Sequence, residues 1–119
     1  MCFYIQKGNT KRLTAEKSII CYKTVTPMYD GEDMNEYCSK YQWFDYKLNK
    51  LYKGDLKISL PRNQIEMGFH SYTNSKIAKN HCGSNEVVVE CVIPKGAKYY
   101  VNTYHEEYVS NQIKIKRVL

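Results

Sequence analysis

Between Asn85 and Ile93 the chain reads N-E-V-V-V-E-C-V-I, and it stops at Pro94-Lys95-Gly96. β-Branched side chains are stiff at χ1 and pack well on a pleated surface, so this run predicts a strand closed by a Pro-Lys-Gly turn. The apolar residues are nearly continuous rather than alternating. The strand is therefore expected at the centre of a sheet, covered on both faces. Ala97 to Asn102 then returns as a short strand after the turn.

The C-terminal run Gln112-Ile113-Lys114-Ile115-Lys116-Arg117-Val118 alternates apolar with charged residues. That pattern predicts a strand over 112–118 with one wet face, and a wet face carrying Lys114 and Lys116. Ser18 to Val25 (S-I-I-C-Y-K-T-V), bounded by Thr26-Pro27, is a further strand expected over about 18–26. Ile65 to Tyr72 (I-E-M-G-F-H-S-Y) is another, with Gly68 as a bulge. Helix is scarce. Thr73 to Asn80 opens on cap-type residues and ends before His81-Cys82-Gly83, which predicts one or two turns. Met34 to Tyr52 fits two periods: helix is expected around Glu32 to Lys40, and strand from Tyr41 to Leu48, where aromatics are dense.

These elements predict an α+β, mainly β fold: an antiparallel twisted sheet system with one or two short helices. The 119 residues contain no internal repeat and no Pro/Gly-rich linker, so a single domain over 1–119 is expected. With 43% hydrophobic and 25% charged residues the composition is that of a globular chain rather than a disordered one. The 12 tyrosines suit strands and half-buried surfaces, where the ring packs and the hydroxyl reaches water or a partner.

No run of 18 apolar residues occurs, and the polar residues after Ile5 interrupt any signal-peptide core, so no membrane partner and a cytoplasmic location are expected. Cys2, Cys21, Cys38, Cys82 and Cys91 are odd in number and unpaired in spacing, which reads as reduced thiols. Cys21 and Cys91 sit inside apolar runs and are expected to act as small core residues. Only His81 and Cys82 are neighbouring metal-ligand types, so neither metal nor cofactor is expected.

The formal net charge is +6. Asp30, Glu32, Asp33 and Glu36 fall between Pro27 and Ser39 with no Lys or Arg among them, so the positive charge is concentrated elsewhere. A basic body points to a polyanionic partner, with nucleic acid the usual candidate. The densest basic-aromatic stretch runs from Lys40 to Lys53 and continues to Arg62. Within it Lys40, Lys47, Lys50, Lys53, Lys57 and Arg62 are candidate phosphate contacts, and Tyr41 and Trp43 candidate stacking platforms. The opposing reading makes these aromatics core and the lysines a solvated face.

A second constellation, Gly68-Phe69-His70-Ser71-Tyr72, sets a histidine beside a serine. Adjacent strand residues point to opposite faces, so His70 and Ser71 are not placed to act as a catalytic dyad. Tyr104-His105-Glu106-Glu107-Tyr108 reads as a polar loop between strands. No catalytic motif emerges, and a non-enzymatic role is expected.

The order C-Y-K at 21–23, F-D-Y-K-L-N-K-L-Y at 44–52, G-F-H-S-Y at 68–72 and V-V-V-E-C-V-I-P-K-G at 87–96 resembles a layout found in small phage and mobile-element proteins, mostly of unassigned function. That resemblance implies an accessory or counter-defence factor engaging RNA or a ribonucleoprotein, for example an inhibitor of a host RNA-guided (CRISPR-type) nuclease. The chain is also faintly similar to ADP-ribosyltransferase-like domains, in which a strand ending in P-K-G follows a serine-bearing strand. This second resemblance implies a nucleotide pocket beside His70, Ser71 and Tyr72. Lys23 stands near the first-strand position, and Gln112-Ile113-Lys114 stands where the family has a closing glutamate motif. A protein-interaction module using the tyrosine-rich surface is the third reading.

Overall fold

A computed structural model describes residues 3–4, 10–27, 36–39, 45–59 and 64–119. The fold is mainly β, with antiparallel sheets and one short helix, in agreement with the class expected from the sequence. The strands are β1 (Phe3–Tyr4), β2 (Thr10–Thr14), β3 (Ile19–Pro27), β4 (Glu36–Ser39), β5 (Asp45–Lys47), β6 (Leu51–Lys53), β7 (Lys57–Ser59), β8 (Gln64–Met67) and β9 (Phe69–Tyr72). After helix α1 (Ser75–Asn80) follow β10 (Val87–Ile93), β11 (Lys98–Asn102), β12 (Glu107–Ser110) and β13 (Gln112–Val118).

The principal sheet runs β2-β11-β12-β9-β3-β10-β13-β6, every neighbouring pair antiparallel; β4 pairs with β3 and carries β5 at its other edge. A small sheet has the order β1-β8-β7. As its apolar run requires, β10 is central, hydrogen-bonded to β3 on one side and β13 on the other.

Alternation sorts the side chains onto two faces. Cys21, Val25, Val89, Cys91, Ile93, Ile113 and Ile115 all point to one side and are buried completely. The sheet curls over them, because Tyr46 on β5 meets both Tyr52 on β6 (ring centroids 5.2 Å) and Phe69 on β9 (6.3 Å), each edge-on. Ala15 and Ala97 close one end through reciprocal backbone bonds: Ala15 N–H donates to Ala97 C=O, and Gly96 N–H donates to Ala15 C=O, each at 2.8 Å. On the opposite face, α1 lays Ala78 against Tyr72 and Val88. The helix starts where Asn74 Oδ1 accepts from the Ile77 N–H at 2.9 Å, an N-cap that satisfies one of the otherwise open amides.

Three expectations are corrected. The helix expected around Glu32 to Lys40 is strand where the chain is described, at Glu36–Ser39. β3 extends past its bridge to β9 at Tyr22↔Tyr72, and β4 pairs the protruding backbone of Val25 to Pro27; unpaired backbone groups in that position favour a strand partner over a helix. The polar loop expected at 104–108 ends early, and Glu107–Ser110 joins the sheet as β12. Buried Asn102 makes the tight turn before it, its Oδ1 accepting from the Tyr104 and His105 N–H groups at 3.0 and 3.1 Å. The strand expected over 65–72 splits at Gly68 into β8 in the small sheet and β9 in the large one. Gly68 has φ +150, and a Cβ there would lie 2.4 Å from Val109 Cγ2 and 2.8 Å from Leu56 Cδ2. Only a residue without a side chain lets those two groups press on the backbone.

Candidate functional site

The basic-aromatic stretch divides between core and surface. Lys47, Lys50, Lys53 and Lys57 are exposed. The two described rings of the stretch are structural: Tyr46 is 2% exposed, and half-buried Tyr52 packs against the same core. Tyr52 Oη accepts from the Lys47 N–H at 2.7 Å, and Lys50 Nζ lies 5.3 Å from the centre of the Tyr52 ring. Lys40, Tyr41, Trp43 and Arg62 lie outside the described residues.

The tertiary structure adds lysines from a distant part of the chain. On β6 and β13 the register sets Lys53 opposite Gln112 and Leu51 opposite Lys114, with Tyr52, Ile113 and Ile115 turned to the other face. Lys53 and half-buried Lys114 are thus diagonal neighbours on the outer face, a separation of roughly 7–8 Å in an antiparallel pair. A bulge opposite Glu90 and Cys91 leaves exposed Lys116 as the extra residue, while the next cation, Arg117, is neutralised by Glu90 at 3.1 Å. Among the described residues Lys50, Lys53, Lys114 and Lys116 form no ion pair; Asp55 is the exposed acid of the same segment. The row Leu51–Lys114–Val92–Ile20 crosses four strands in register, with Ile20 55% and Leu51 41% exposed, so the basic face has an apolar rim.

His70, Ser71 and Tyr72 do not converge. Ser71 points into the core, whereas Tyr72 packs under α1 with its ring stacked on His81 (centroids 5.1 Å, planes 4° apart). His70 is half-buried and is held neutral. Burial, with the Lys23 charge nearby, pulls its pKa down to about 3. A cavity of about 430 Å³ lies elsewhere, bounded by Thr26, Pro27 and residues Ser84 to Val87.

The core also holds a charged group that is not among the candidate binding residues read from the sequence. Lys23 is 7% exposed and lies on the inner face of β3, two residues from Cys21. Its Nζ donates to the carbonyl oxygen of His70 and sits 5.4 Å from the centre of the Tyr46 ring. Cys21 and Cys91 are directly opposite each other on β3 and β10, both as free thiols with no exposed surface. Ser71 Oγ is buried with no hydrogen-bond partner of normal geometry, and it lies near enough to Cys21 to favour a thiolate there.

Burial by itself would raise the Cys21 thiol, but hydrogen bonding from Cys91 and Ser71 and the positive charge of Lys23 outweigh it, and the pKa falls below the ordinary value. Cys91 moves the other way, pushed up first by burial and then by its neighbour Cys21. Lys23 is lowered by burial, with the adjacent thiols opposing that shift. The signal was present in C-Y-K: strand alternation puts Cys21 and Lys23 on one face, and a lysine facing inward from an apolar strand requires a partner.

Comparison of the chain with protein-family models, curated proteins and solved structures finds no match.

Proposed function

We propose that this chain is a basic, non-enzymatic binding protein that engages single-stranded nucleic acid, RNA by preference, through the outer face of β6 and β13. The observation that carries this reading is the pairing on the outer face of Lys53 and Lys114, which form no ion pair among the described residues and are brought together from two chain segments, with exposed Lys50 and Lys116 close to them in sequence. Cations held this close repel one another, and a bound phosphate backbone relieves that repulsion while releasing its own counterions. Exposed Lys47 and Lys57, and Arg62 of the same basic-aromatic stretch, are further candidate phosphate contacts in this reading. Tyr41 and Trp43 supply the stacking surface in this reading, since Tyr46 and Tyr52 are committed to the core. In the setting implied by the resemblance to small phage proteins, the partner is a cytoplasmic ribonucleoprotein, such as a host RNA-guided nuclease, and the protein acts as its inhibitor.

The test is a gel-shift series with a single-stranded RNA oligonucleotide across salt concentrations. The double change Lys53→Glu/Lys114→Glu should weaken binding and reduce the log–log salt slope by about 0.7 for each phosphate that is no longer neutralised. Trp43→Ala should weaken single-stranded RNA more than duplex RNA, because only unpaired bases expose a free face. Unchanged affinity and slope in the double variant would overturn the proposal. A tight, salt-insensitive complex with a protein free of nucleic acid would favour the interaction-module reading instead.

A further inference from the structure

We propose that Cys21 and Cys91 are a redox-active pair that a small hydroperoxide oxidises to a cross-strand disulfide, with Lys23 as the proton carrier. Three independent features meet at this place. The two cysteines are direct register partners on adjacent antiparallel strands. Cα atoms in such pairs are about 4.5–5.5 Å apart, inside the roughly 4.4–6.8 Å span that a disulfide bridges. Lys23 projects from the same face of β3 as Cys21, buried and bonded to the His70 carbonyl. Ser71 brings a hydroxyl with no other hydrogen-bond partner to the same spot.

The environments divide the roles. Cys21, favoured as thiolate by its neighbours, is the attacking sulfur, and Cys91, kept protonated by burial, is the resolving one. The Cys21 thiolate attacks one oxygen of the peroxide, the O–O bond breaks, and the departing hydroxide or alkoxide takes a proton from the Lys23 ammonium. Cys21 is then a sulfenic acid and Lys23 a neutral amine. The amine removes the proton of Cys91, whose thiolate attacks the Cys21 sulfur. The S–S bond forms, hydroxide leaves, and Lys23 returns the proton to release water. Two thiol sulfurs are oxidised, one peroxide is reduced, and Lys23 ends neutral. That outcome suits the site, since the disulfide carries no charge to balance a buried ammonium. Neither sulfur has exposed surface, so a small uncharged oxidant is the chemistry that fits.

The experiment treats the folded, reduced protein with hydrogen peroxide, quenches it, alkylates remaining thiols under denaturing conditions and maps the peptides by mass spectrometry. The expected product is a single crosslink joining the Cys21 and Cys91 peptides, reversed by dithiothreitol, while half-exposed Cys82 stays alkylatable. Cys91→Ser should stop the reaction at a Cys21 sulfenic acid that dimedone traps. Lys23→Met, shown by circular dichroism to keep its fold, should slow crosslinking at least tenfold. Recovery of Cys21 and Cys91 fully alkylated in the wild-type protein, or a crosslink through another cysteine, would overturn the pairing. An unchanged rate in folded Lys23→Met would overturn the role of Lys23.

Discussion

The two faces of the β3–β10–β13–β6 segment use the same residue type to opposite effect. Outward, Lys53 stands in solvent with half-buried Lys114 beside it, where a charge costs little and can be lent to a partner. Inward, Lys23 is sealed among thiols and a tyrosine ring, where an uncompensated charge would cost several kcal/mol. The difference lies in the neighbours that curling of the sheet supplies, not in the lysine itself. An exposed cation answers to salt and to polyanions. A buried one answers to the protonation and oxidation of the groups packed on it.

The contrast breaks most visibly under charge insertion. Ile93→Asp places a lone carboxylate on the inner face opposite Ile19 and should unfold the domain, whereas Lys53→Glu on the outer face should leave stability within about 0.5 kcal/mol. Denaturant melts of the two variants provide the check; equal destabilisation would erase the distinction between faces. Glycine substitution follows. Gly68→Val drives a branched side chain into Val109 and Leu56 at positive φ and should cost about 3 kcal/mol, while Gly96→Ala, at φ +88 with open space around it, should cost about 1 kcal/mol from backbone strain alone. The same denaturant melts rank the two, and a Gly96→Ala variant as unstable as Gly68→Val would deny the close approach at Gly68.

Acid has a smaller effect than Gly68→Val and sharpens the picture of the buried groups. His70 is neutral in the fold down to about pH 3, but in the unfolded chain it takes up a proton near pH 6.5. Above pH 6.5 both states are neutral and the full stability is present. Between about 6.5 and 3 only the unfolded chain binds the proton, so stability falls as pH is lowered, by up to about 1.4 kcal/mol per unit. Thermal melts from pH 7 to 5 should show a decrease of about 2 kcal/mol that His70→Gln removes. A slope that persists in His70→Gln would assign the acid sensitivity to other groups.

The elements easiest to foresee were those whose side chains settle their own conformation. The β-branched run at Val87 to Ile93, the alternation at Gln112 to Val118 and the cap-type residues that open the Thr73 to Asn80 segment each carry a local physical preference, and strand or helix forms at each. The failures share a cause. Glu36–Ser39 is strand because β3 offers it an unpaired edge, and Glu107–Ser110 is strand because it lies between β9 and β11. Both depend on partners distant in sequence, and local propensity is weak against such pairing.

The candidate sites follow the same division. By itself, the order of residues determined the mainly β class, the central place of β10, the opposed faces of His70 and Ser71, and the outward place of Lys114. Only the tertiary structure decided that Lys53 joins Lys114, that Tyr46 and Tyr52 turn inward, and that Cys21 meets Cys91 beside Lys23. Alternation along a strand says which residues share a face, but register between strands says which of them touch, and register is set by the packing of the whole sheet.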